Sequence, residues 1–78
     1  MKNRELAEKA YEDYKVYLRK EAEIQNTLQE LRNAAKTAED VEKRLEIYEK
    51  MDEYRRKLEI VRRSINIQAK VIVRFVFE

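Results

Sequence analysis

Not one glycine or proline occurs in this chain of 78 residues. Glycine supplies left-handed and tight-turn backbone, and proline ends helices. A chain without either has no glycine-rich phosphate loop, no primed hairpin turn and no flexible linker. What it can build is long helix with few connections.

Residues 1–78 are enough for a single domain, close to the size below which one core needs help. There is no cysteine and no histidine. That removes disulfide staples, thiolate chemistry and the commonest metal ligand and general base. Oligomerisation is the remaining staple. Charged residues make up 44% of the chain, and no apolar run approaches the ~20 residues of a membrane span. The segment MKNRELAEKA has no apolar core of a signal peptide. The expected setting is the cytoplasm, with no membrane partner.

The first apolar stripe is Leu6, Ala10, Tyr14, Tyr17, Ile24, Leu28, Leu31 and Ala35, at steps of three and four. It predicts a helix over residues 4–33 with Asn3 as its N-cap. Glu21 falls in the gap of this stripe. It belongs at the rim if the stripe drifts through Leu18 and Ala22, and is a buried register-setting acid if it does not. Thr37 and Asp40 resemble a capping box, and Asn33 tolerates a left-handed helix end. A turn is therefore expected over 34–37, which makes the helices antiparallel neighbours. One continuous helix is the alternative, because Ala34, Ala35, Lys36 and Ala38 are good helix formers. The second helix is expected over 38–63, with Val41, Leu45, Tyr48, Met51, Tyr54, Leu58 and Val61 as its stripe. From Ile47 to Ile65 the seam is a regular heptad.

The end of the chain, SINIQAKVIVRFVFE, follows another rhythm. Every odd position from Ile65 to Phe77 is apolar, while Asn66, Gln68, Lys70 and Arg74 lie among the even ones. β-branched and aromatic residues dominate, and a β-strand over 65–77 is expected. A helical seam through Ile65, Gln68, Ile72 and Phe75 also exists. It leaves Ile67, Val71, Val73 and Phe77 off the stripe. A lone strand has two open edges, so it must pair with another chain, most simply a second copy. The fold class expected is mainly α: a coiled-coil-like helical hairpin with a C-terminal strand shared in a homodimer.

Enzymatic chemistry is not expected, nor is any cofactor or metal. The chain has one serine, Ser64, and no nucleophile–base pair. Glu42, Glu46, Glu49 and Glu53 line one side of the second helix, but carboxylate metal sites in bundles usually add histidine. Tyr11, Tyr14 and Tyr17 could stack on bases. Helical spacing puts Tyr14 and Tyr17 on the core stripe instead. Charge is split. Residues 37–53 hold seven acids and three bases, and residues 54–74 hold seven bases and one acid. Arg55, Arg56, Arg62, Arg63, Lys70 and Arg74 could meet phosphates or an acidic partner. The same cations suit a helix C-terminus, with Glu59 close to all four paired arginines.

These features together describe a non-enzymatic interaction or scaffolding protein whose first partner is itself. Self-association is expected through Tyr14, Tyr17, Leu28, Leu31, Met51, Leu58 and Val61 on the helices. Ile65, Ile67, Val71, Val73, Phe75 and Phe77 would serve on the strand. Tyr11, Val16 and Leu18, off the seam, are candidate contacts for another protein. The alternatives are a small nucleic-acid-associated regulator, or a modulator that adds its strand to a larger protein's sheet.

Overall fold

A computed structural model describes the backbone of residues 2–77 and the side chains of residues 4–77. Two antiparallel helices account for nearly all of it: α1, Lys2–Thr37, and α2, Val41–Phe77. Ala38, Glu39 and Asp40 join them. The hairpin measures 59 × 14 × 14 Å.

The connection works without glycine because neither helix end needs a left-handed residue. No described residue has positive φ. α1 continues through Asn33, and the expected turn over 34–37 is helix. The Thr37 hydroxyl donates back to the carbonyl of Ala34 at 3.2 Å, so it finishes α1 and does not cap α2. The cap is Asp40, whose carboxylate accepts from the Glu42 N–H at 3.0 Å. Arg44 donates from Nε to the Ala38 carbonyl at 2.6 Å and ties the connection to the first turn of α2. Asn3 lies inside α1, not ahead of it.

The expected C-terminal strand is absent. α2 runs unbroken from Val41 to Phe77, and the described residues contain no strand. The physical reason lies in the seam. Ile47, Met51, Tyr54, Leu58 and Val61 continue through Ile65, Gln68, Ile72 and Phe75 at the same steps of four and three. Nothing between Ser64 and Phe77 breaks a helix. Valine and isoleucine cost roughly half a kcal/mol each relative to the best helix formers. An unpaired buried backbone group costs about 1–3 kcal/mol. Extending an existing helix satisfies those groups within the chain, whereas a strand would leave both edges open. The first half of α1 gives the extension a packing partner.

The core is small. Leu28, Met51 and Leu58 are buried together, with Ile24, Leu31, Ile47 and Tyr54 packed against them. Ala10, Ala35 and Val61 complete the buried positions among the described residues, and none of these has a fully buried side chain. The radius of gyration, 17.5 Å, exceeds the ~11.5 Å expected of a compact chain of this length. Two helices have one shared seam and no interior beyond it.

Candidate interaction surface

The seam uses up many of the residues expected to hold two chains together. Leu28, Met51, Leu58 and Val61 are buried between α1 and α2, and Tyr14, Tyr17, Leu31, Ile65, Val71 and Phe75 are half-buried. Ile67, Val73 and Phe77 face outward. The alternating pattern that suggested a strand therefore divides between two sides of a helix. Its outer part is left exposed, up to 83% at Phe77.

Glu21 sits at the rim of the seam, with 26% of its side chain accessible. Its carboxylate accepts from Arg62 Nε at 3.2 Å, joining α1 to α2. An ion pair this accessible contributes at most about 1 kcal/mol. It suits only one helix register, since Glu21 and Arg62 must lie at the same height.

The basic segment is largely committed to contacts within the chain. Arg55 pairs with Asp52 at 3.1 Å and Arg63 with Glu59 at 2.9 Å. Arg56 donates to the carbonyl of Asp52. Lys70 and Arg74 flank Ala69 and Val73 on a shallow apolar surface near the end of α2. Glu42, Glu46, Glu49 and Glu53 are all exposed. Among the described residues no three acidic groups converge on a metal-sized site.

The expected stripe of α2 needs one correction. Val41, Leu45 and Tyr48 are 65%, 56% and 50% exposed and do not reach the seam. Leu45 and Met51 are six residues apart, about 120° around the helix at 3.6 residues per turn. The seam passes through Ile47 instead. Val41, Leu45 and Tyr48 form a second, outward apolar face at steps of four and three.

That face returns at the other end of α2. Val41, Tyr48 and Val76 differ by multiples of seven, as do Leu45 and Val73. Seven residues are close to two helical turns, so these positions share one side of the helix. Heptad counting could have found this face in the sequence, but the overlapping inner stripe masks it. Beside Val76, the N-terminal part of α1 contributes Ala7 and the half-exposed Tyr11 to a shallow groove bounded by Arg4 and Glu8. Lys15 lies over the Tyr11 ring at 4.9 Å. Val16 and Leu18 are exposed further along α1.

No described helix is long and apolar enough to cross a membrane. No family model, curated protein or solved structure matches the chain.

Proposed function

We propose that this chain is a non-enzymatic interaction protein that works by associating with itself through helical surfaces. One observation carries the reading. The hairpin exposes 6525 Å², whereas a compact chain of 9.6 kDa is expected to expose ~5,100 Å². The excess, roughly 1,400 Å², includes large apolar side chains at both ends of the hairpin. Scattered apolar residues are ordinary on a surface, but clusters at helical spacing mark contact sites. Self-pairing of C-terminal strands has no part in this reading, and neither does strand addition to another sheet.

A nucleic-acid partner draws less support. Arg55, Arg62 and Arg63 each face a carboxylate of the same chain. A phosphate would have to displace those partners.

Absolute mass by light scattering after size exclusion tests the proposal. The expected mass is a multiple of 9.6 kDa, most simply two chains. A single-chain mass across the accessible concentration range would reject it.

A further inference from the structure

Resting on that reading, we infer that the occupant of the outward face of α2 is a second copy of this chain. The copies lie antiparallel, with α2 against the partner's α2 and the turn end of each hairpin on the open end of the other.

Charge sets the direction. The open-end half of the hairpin, residues 4–20 and 58–77, holds nine bases and five acids. The turn-end half, residues 21–57, holds ten acids and eight bases. Antiparallel order sets the basic half on the acidic half along the full 59 Å. Parallel order sets like on like, which opposes association.

Apolar placement gives the same answer. Along one face, α2 reads apolar at Val41, Leu45 and Tyr48, charged at Asp52, Arg55, Glu59 and Arg62, polar at Asn66, small at Ala69, and apolar again at Val73 and Val76. The two apolar groups are four heptads apart, ~42 Å at 1.5 Å per residue. A two-fold axis crossing near Glu59 brings Leu45 onto the partner's Val73 and Val41 onto the partner's Val76. The charged middle then sets Arg55 near the partner's Arg62 and Glu59 near its own copy. The counter-ions of these like charges lie within each chain: Asp52 on Arg55, Glu21 on Arg62 and Arg63 on Glu59. A two-fold axis parallel to the helices would instead lay α2 over the partner's α1. There Val41, Leu45 and Tyr48 would meet the stretch holding Arg32, Asn33 and Lys36, which are polar and exposed.

The area is adequate. One face of the hairpin, 59 Å by 14 Å, covers about 800 Å², the share of one partner in a standard stable interface. The product is a four-helix bundle with an interior that the hairpin alone lacks.

The same axis places Glu49 near the partner's Lys70, which gives a charge-swap test. Glu49→Lys should weaken the dimer about tenfold at low salt, and adding Lys70→Glu should restore it. Direction is read independently by paired spin labels. The chain has no cysteine, so each introduced thiol is unique. Labels at Asn33→Cys, near the turn, should lie most of the hairpin's 59 Å apart in the antiparallel dimer. In a parallel dimer they would lie within two hairpin widths of 14 Å. Labels at Glu59→Cys should be close. A dimer with close Asn33 labels, or one that Lys70→Glu fails to rescue, overturns this arrangement and leaves self-association standing. A dimer with distant Glu59 labels places the contact on another face and does the same. A monomer, including one that binds only lipid vesicles or nucleic acid, overturns both.

Discussion

Met51 is the most buried of the described residues, 3% exposed, and it packs in one cluster with Leu28 of α1 and Leu58 of α2. Its flexible thioether fills the gap between Leu28 and Leu58, which a branched side chain would fill less adaptably. Met51→Ala should destabilise the fold by about 2–4 kcal/mol. Thermal unfolding followed by far-UV circular dichroism checks this, and an unchanged midpoint would mean the core lies elsewhere. The position was legible from heptad spacing alone, as were Leu28, Leu58 and Val61. The rim position of Glu21 was legible too, because a carboxylate in a narrow two-helix seam has water nearby. Its partner was not legible. Arg62 is 41 residues away, and only the relative height of the two helices makes the pair.

For whole elements, local preference and tertiary fit disagree over residues 65–77. Alternation and β-branching favour a strand there, and the structure has helix. β-propensity describes fit to a half-buried pleated surface, and this chain offers no such surface. It offers a second helix of nearly equal length. Gln68 separates the two outcomes. On a strand it belongs to the polar face, whereas in α2 it is half-buried on the seam between Ile65 and Ile72. Gln68→Leu should therefore stabilise the hairpin by about 1 kcal/mol through added apolar burial. A lower melting midpoint, or a loss of helical signal, would contradict the helical assignment. The connection shows a related shift. Thr37 and Asp40 were both legible as helix-terminus residues, but their roles divide between the two helices. A hydroxyl at the end of α1 can reach carbonyls behind it, and Asp40 stands one residue ahead of the first turn of α2.

At the level of the molecule, the deciding quantity is surface. A rod 59 Å long and 14 Å wide has no interior in which to hide apolar groups at Val41, Leu45, Tyr48, Val73 and Val76. If a second copy covers them, folding and association are coupled. The melting midpoint should then rise with protein concentration, because mass action favours the assembled state. A midpoint that is constant over a wide dilution series would show that the hairpin is stable alone. Differential scanning calorimetry at several concentrations makes the measurement.

The sequence by itself determined that the chain would be mainly long helix, while Ala34, Ala35, Lys36 and Ala38 left one continuous helix open against a hairpin. It has no glycine or proline to interrupt the backbone, and its inner seam repeats from Ile24 to Leu31 and from Ile47 to Val61. It also determined the split of charge that gives the hairpin a basic end and an acidic end. Tertiary structure decided the state of residues 65–77, because two periodicities coexist there and only an available packing partner selects between them. It also decided which apolar residues remain outside. A helix shows one seam to one neighbour, and a six-residue offset turns Leu45 away from it while Met51 stays in.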